Sequence, residues 1–388
     1  MSDFTFNTTP SIRQVWGGAR EFGATLAEQP FAQAVRRVLM VTDPGVRGLG
    51  LCDPCLDSLS AAGFEVSVFD AVEADPKSET VLAAADVAHD CDLVVGFGGG
   101  SSMDVAKVVA LLARSTQPLD ALYGVGLARG ARLPLVLVPT TAGTGSEVTP
   151  ISILTTGTVE KKGIVSPLLL PDMALLDASL TVGLPPAITA ATGVDAMVHA
   201  IEAYTSRSAN NNAVSRALAG RALELLGANI RTAVADGMSR EAREAMLLGS
   251  MLAGQAFANS PVGAVHALAY PVGSLFHVPH GLSNALVLAE VMRFNLPDAA
   301  QGYAEIAPRI FPDIDMTCGT QAIAVELIDR LAQLNADLGL GPGLRSVGIA
   351  ESDIAKLADD AMNQTRLLVN NPREVTQGDA ERIYRASL

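Results

Sequence analysis

Up to Leu184 the apolar residues come in short runs closed by Gly, Pro, Asp or Thr; beyond it they recur at helical spacing over long stretches. The runs at 37–42, 64–69, 92–97, 135–138 and 173–177 predict strands, and unbroken runs such as R-V-L-M-V-T and D-L-V-V-G-F suit buried parallel ones. A helix is predicted over 78–89, and another follows Asp104 in V-A-K-V-V-A-L-L-A. Strand and helix alternate, which predicts an α/β layer with a parallel sheet. A hairpin is predicted from 151–156 and 163–165 about Gly157, with Lys161 and Lys162 at its edge, where lysines guard against strand pairing. After Leu184-Pro185-Pro186 the pattern is helical throughout, with helices predicted over 188–205, 213–234, 240–258, 321–338 and 352–362. The predicted organisation is therefore an α/β domain over 1–184 and an all-helical domain over 185–388.

Composition sharpens this picture. At 388 residues the chain exceeds one ordinary core, and 49% apolar content marks it as globular. The net charge of −14 argues against nucleic acid, which needs a basic surface. No apolar run approaches the length of a membrane span, and the polar N-terminus lacks a signal sequence, so a cytoplasmic location without membrane contact is expected. Four cysteines are too few for a disulfide framework. Cys52 and Cys55 form a lone C-D-P-C, better read as a turn entering a helix than as a redox or zinc pair.

Chemistry concentrates in three stretches. The run Gly98-Gly99-Gly100-Ser101-Ser102-Met103-Asp104 lies at a strand-to-helix junction, where bare backbone N–H groups and a helix N-terminus suit a pyrophosphate. It does not have the G-x-G-x-x-G spacing, and Ser102 or Asp104 could equally be helix caps. The loop P-T-T-A-G-T-G offers hydroxyls from Thr140, Thr141 and Thr144 to a ribose, phosphate or nicotinamide amide, or is an ordinary polar turn. In T-G-V-D-A-M-V-H-A-I-E, Asp195 and His199 are four apart and leave one face of a helix, as two metal ligands would. His266 and His280 would complete a first-row divalent set. On one straight helix those two would stand about 21 Å apart, so the chain must turn between them, and Pro271, Gly273 and Pro279 are the expected breaks.

The segments around Asp195 and His199 and around His266 and His280 resemble the two signature regions of the iron-containing, metal-dependent (group III) alcohol dehydrogenases. With the glycine-rich and threonine-rich loops the resemblance covers nearly the whole chain. It implies a Rossmann-like dinucleotide-binding domain, an all-α metal-binding domain and a dehydroquinate synthase-like architecture with the active site in the cleft between them. It implies Asp195, His199, His266 and His280 as ligands of Fe(II), or of Zn(II), and NAD as cofactor. Gly98, Gly99, Gly100, Ser101, Ser102 and Asp104 then correspond to the pyrophosphate loop, Thr140, Thr141 and Thr144 to the nicotinamide side, and Lys161 to a lysine near the ribose. Asp43 falls at the strand-end acid that accepts ribose hydroxyls and disfavours a 2′-phosphate.

Two departures from the family pattern stand out. Tyr270 replaces a histidine held to sit beside the nicotinamide, so Tyr270 or His277 is the candidate proton relay. Asp75-Pro76 replaces a common Asn-Pro. The implied activity is NAD-linked interconversion of a small primary alcohol or diol and its aldehyde by a homo-oligomer, a dimer or higher. The alternatives are a hydroxyacid or semialdehyde dehydrogenase, a related lyase or polyol-phosphate dehydrogenase, or a non-catalytic nucleotide- or metal-binding protein.

Overall fold

The structure, a computed structural model, describes residues 3–157 and 160–388. The chain divides into two compact units: Asn7–Thr141 with Gly145–Gly183, and Leu184–Leu388 with residues 3–6 and Ala142–Thr144.

The first unit is built on a six-stranded, wholly parallel sheet of β1 (Ser11–Gln14), β2 (Arg37–Val41), β3 (Glu65–Phe69), β4 (Leu93–Gly98), β6 (Leu135–Pro139) and β9 (Met173–Leu176), in the order β1-β9-β6-β4-β2-β3. Side chains alternate between its faces, and both faces are covered. Leu39, Val41, Val94, Leu135 and Leu137 pack with α4 (Ser78–Ala88) and α5 (Gly100–Leu112). Val38, Met40, Val95, Phe97 and Val136 pack with α1 (Phe22–Ala27) and α3 (Asp53–Ala61). A strand buried on both sides has no polar face to show, which is why these runs read as continuously apolar. A short helix, α2 (Pro44–Gly48), follows β2. The predicted hairpin is present as antiparallel β7 (Ile151–Thr156) and β8 (Glu160–Val165), extended by a two-residue β5 (Gly124–Val125) parallel to β8.

From β2 the chain steps outward to β3 and then returns to β4 on β2's other side. The order reverses between β2 and β4, and the residues beyond the C-terminal ends of those two strands are Asp43 and Gly99–Ser102. In a doubly wound sheet that is where ligands bind. The C-x-x-C pair lies at the start of α3, buried, with both thiols free; burial pushes the Cys55 thiol far up, so it packs as a small apolar group.

The second unit is helical: α6 (Pro186–Thr205), α7 (Ala213–Ala235), α8 (Arg240–Asn259), α9 (Ala264–Phe276), α10 (His280–Ile310), α11 (Thr320–Asp337), α12 (Ile354–Met362), α13 (Thr365–Leu368) and α14 (Gln377–Ala386). Pro271 and Gly273, expected to break the chain between His266 and His280, lie inside α9 instead. The turn is made at His277, whose backbone is left-handed with φ 56°, and at Val278-Pro279. Buried packing outweighs the one hydrogen bond that Pro271 cannot donate, since Ala267, Leu268, Val272 and Pro271 itself are all enclosed. Pro297, exposed, and Pro308, partly buried, are held within the 31-residue α10 by their buried helix neighbours, among them Asn295, Ala299, Ile306, Ala307 and Ile310. No described helix is long and apolar enough to cross a membrane.

Candidate metal and cofactor sites

Three helices of the second unit bring the four predicted ligands together. Asp195 and His199 project from α6, His266 from the first turn of α9, and His280 opens α10. Their ligand atoms all lie within 4.8 Å of one another. Close approach of α10 to α6 depends on Gly281, because a Cβ there would stand 2.4 Å from the Ala191 carbonyl oxygen.

The electrostatics of this cluster fit a cation. His266 Nδ1 is 2.6 Å from Glu202 Oε2, so that nitrogen carries the proton and Nε2 presents its lone pair inward. Asp195 Oδ1 stands 3.8 Å from His266 Nε2 and 3.7 Å from His280 Nε2, too far for hydrogen bonds. Those separations are slightly longer than the edges of a tetrahedral ligand shell, in which bonds of about 2.0–2.2 Å place donors about 3.3–3.6 Å apart, so a small inward shift would close the shell on a cation. Burial pushes His199 well below its ordinary pKa, with His266 adding to the effect and the Gly143 main chain only partly opposing it. His199 is thus a neutral donor, stacked between Phe257 (centroids 4.3 Å apart) and His266 (4.6 Å), and its Nδ1 has no hydrogen-bond partner. A buried carboxylate facing three imidazoles is costly unless a cation draws on their lone pairs.

Two residues that sequence reasoning passed over complete the cluster. Glu202 lies seven residues after Asp195 on the same face of α6, and it accepts both the Val265 N–H (2.7 Å) and His266. The Asn284 amide nitrogen, four residues after His280, contacts Asp195 Oδ1 at 2.6 Å and both His266 Nε2 and His280 Nε2 at 3.3 Å. Both stand at helical spacing from a ligand, which is the signal that could have found them. Tyr270, one turn after His266, is half-buried with its ring 5.8 Å from that of His280. His277 is exposed.

The cofactor candidates of the α/β unit gather at the sheet's switch point. Gly98 has φ 150°, and a Cβ on it would fall 2.6 Å from Ser102 Oγ, so this tight turn admits only glycine. Gly99 is the N-cap of α5 and supplies no side-chain cap, which leaves the first-turn N–H groups of Gly100, Ser101 and Ser102 for an anion. Thr141 Oγ1 lies beside Gly99, and Thr140 N donates to the Gly98 carbonyl at 2.9 Å. Asp43 caps α2 through Val46 N (2.9 Å) with one oxygen and accepts from Ser102 Oγ (3.2 Å) with the other. A cavity of about 330 Å³ is lined by Asp43, Glu73 and Gly99–Ser102. Bare amides beneath a cavity with an acid at its edge fit a dinucleotide's pyrophosphate and ribose.

Other predicted contacts are differently engaged. Asp104 turns its carboxylate to Ser146 Oγ (2.6 Å), Ile153 N (2.9 Å) and Lys107 Nζ (3.4 Å). Lys107, which sequence reasoning missed, is wholly buried and donates to Ser146 Oγ (2.6 Å), Ile151 O (2.7 Å) and Thr149 Oγ1 (3.1 Å). Together they pin residues 146–153 to α5. Lys161 pairs with Asp75 at 2.6 Å, where Asp75 adopts φ 55°, so two residues noted separately in the sequence form one ion pair. Thr144 lies in the segment grouped with the helical unit.

Beside Lys107, burial pushes Glu147 up to about 7, opposed by its own main chain and by Lys107. A carboxyl raised above its ordinary 4.5 stays protonated in the fold while the unfolded chain ionises, so its stabilising effect is complete below pH 4.5 and is lost as pH rises to about 7. Glu147→Gln, which cannot ionise, is therefore expected to match the wild type near pH 4 and to exceed it by up to about 3 kcal/mol at about pH 8. Urea unfolding of both proteins across that range checks this, and parallel curves would remove Glu147 as the cause.

Comparison with known proteins places these sites in a family. The family described as iron-containing alcohol dehydrogenase matches residues 10–178, and the Fe-containing alcohol dehydrogenase family, C-terminal, matches residues 189–388. The chain is 40% identical over 357 residues to long-chain-alcohol dehydrogenase 1 of Geobacillus thermodenitrificans, covering 91% of this chain and 89% of that protein. Its fold superposes on the crystal structure of a 1,3-propanediol oxidoreductase with a TM-score of 0.94 at 35% identity, with complete coverage of both chains. It also superposes on sulfoacetaldehyde reductase from Bifidobacterium kashiwanohense in complex with NAD+, with a TM-score of 0.86 at 31% identity, covering 100% of this chain and 99% of that one. The pattern in the sequence, the six-stranded parallel sheet with its helical companion, and the converging carboxylate and imidazoles have one explanation: the chain belongs to the iron-containing alcohol dehydrogenase family.

Proposed function

We propose that this oxidoreductase interconverts a small primary alcohol or diol and its aldehyde, with NAD held by residues 1–184 and a divalent metal held by residues 185–388. The observation that carries the reading is the convergence of Asp195, His199, His266 and His280 to within 4.8 Å. Those four side chains would hold Fe(II) or Zn(II), which supplies Lewis acidity that lowers the pKa of a bound hydroxyl. The uncapped start of α5 and the Gly98 turn would hold the pyrophosphate, Asp43 the ribose, and Thr140, Thr141 and Thr144 the nicotinamide side of a cofactor that would supply hydride-transfer chemistry. Glu202 fixes the tautomer and direction of His266, and Asn284 fixes the Asp195 carboxylate. Asp104 and Lys107 hold the loop after β6, and Lys161 is paired with Asp75. Tyr270 carries the released proton away from the site, with His277 as the exposed group nearest in sequence to His280.

The alcohol reading is supported by relatives named for long-chain alcohols and for 1,3-propanediol, and the NAD reading by a relative solved with NAD+. We place the enzyme in the cytoplasm as a homo-oligomer, a dimer or higher, which light scattering would measure. The deciding experiment is metal analysis of anaerobically purified protein together with NADH formation across short alcohols and diols. Stoichiometric iron or zinc and metal-dependent NADH formation are expected; full turnover in metal-stripped protein would overturn the reading.

A further inference from the structure

We infer that Glu73 is a second specificity-determining carboxylate, which acts with Asp43 to reject a cofactor bearing a 2′-phosphate. This rests on the reading of the switch-point cavity as the NAD site. Glu73 lies just beyond the end of β3, the strand outside β2, and with Asp43 it supplies both charged side chains of the cavity lining; no cation is among the lining residues. Lys161 is committed to Asp75.

Glu73 is held in place. Thr80 Oγ1 lies 2.8 Å from both of its carboxylate oxygens, and Lys77 N donates to Oε1 at 3.0 Å. Asp43 is fixed in the same way, by Val46 N on one oxygen and Ser102 Oγ on the other. Two anchored carboxylates are acceptors only. They suit the hydroxyl donors of a ribose and repel a phosphate monoester, which adds about 1.5–2 negative charges and further acceptors. Since neither can swing away without breaking its anchoring bonds, the repulsion persists when the other is removed. Asp43→Gly alone therefore leaves a preference for NAD.

Glu73→Gln tests this, because a glutamine carbonyl can still accept from Thr80 and Lys77 N while the charge is lost. kcat/KM for NAD and NADP is measured in wild type, Glu73→Gln, Asp43→Gly and the double variant, at low and high salt. Binding of reduced cofactor is followed in parallel by fluorescence. Expected for Glu73→Gln is a gain for NADP of about tenfold, the worth of one unit charge roughly 10 Å from another at an effective dielectric near 20. NAD should change by less than about threefold, the double variant should gain more than either single, and the gain should shrink at high salt. An unchanged NAD to NADP ratio in Glu73→Gln, in both the wild-type and Asp43→Gly backgrounds, would overturn the inference and leave the NAD reading intact. A wild type that prefers NADP would overturn both.

Discussion

A His266→Ala protein is expected to lose its bound metal on dialysis and to turn over more slowly by on the order of 10²–10³, while its helical content stays that of the wild type. Loss of a mere outer partner of a ligand typically weakens metal affinity about 10–100-fold, and loss of the ligand itself should exceed that. The metal's electrostatic contribution to the transition state is several kcal/mol, and at about 1.4 kcal/mol per tenfold that sets the range for turnover. A purely structural histidine predicts something else. Removing it strands the Glu202 carboxylate, 2.6 Å from His266 Nδ1, in a buried site, at a cost of about 1–3 kcal/mol of stability with no change in metal content. Glu202→Gln separates the two readings, because its amide oxygen still accepts from Nδ1 while the negative charge behind the imidazole is lost, along with the acceptor of the Val265 N–H. It should retain the fold and bind metal about 10–100-fold more weakly, measured by competition with a chromophoric chelator. Full metal and wild-type turnover in His266→Ala would end the ligand assignment.

Much of this molecule was legible in the sequence because β2, β4, β6 and β9 are buried on both faces and spell themselves as apolar runs, while β3, at the sheet's exposed edge, spells itself by alternation. Strands too short or too mixed to do so were not. The edge strand β1, S-I-R-Q, is half-buried and carries no period, and it becomes a strand only because β9 offers it a parallel partner. The helices α9 and α10 were hidden for the opposite reason: Pro271, Pro297 and Pro308 are strong breakers locally, and they are overridden by the burial of Pro271 in α9 and of the residues flanking the other two in α10. At the candidate metal site, four ligands of two types at telling intervals could be read from the chain, but their supports could not. Glu202 and Asn284 are ordinary polar residues in helical stretches until the packing of α6, α9 and α10 turns them toward His266 and Asp195. Lys107 is likewise an unremarked lysine until burial and four oxygen partners make it the anchor of the loop after β6.

Tyr270→Phe is expected to slow turnover by on the order of 10²–10⁴, the usual worth of positioned acid–base catalysis, with metal content unchanged. Oxidising an alcohol to an aldehyde removes a hydride and a proton, and the proton must leave a cluster in which Asp195, His199 and His266 are all buried. None of those three can shuttle it while serving as a ligand. Tyr270 stands one turn beyond His266, half-buried, with its ring tilted 52° against that of His280 at 5.8 Å. Its half-buried ring thus lies beside one of the donor residues, and a phenol can both accept and donate a proton. Phenylalanine keeps the ring and its contact with His280 but removes the hydroxyl, so a packing role would leave the rate and its pH dependence nearly unchanged. His277 is the exposed group beyond the turn, and His277→Ala should act more mildly, altering the pH–rate profile more than the maximal rate. The solvent isotope effect on kcat should rise in Tyr270→Phe as proton transfer becomes slower than hydride transfer. If both variants kept the wild-type pH–rate profile and isotope effect, the proton would pass directly to solvent, and the tyrosine would be a packing residue.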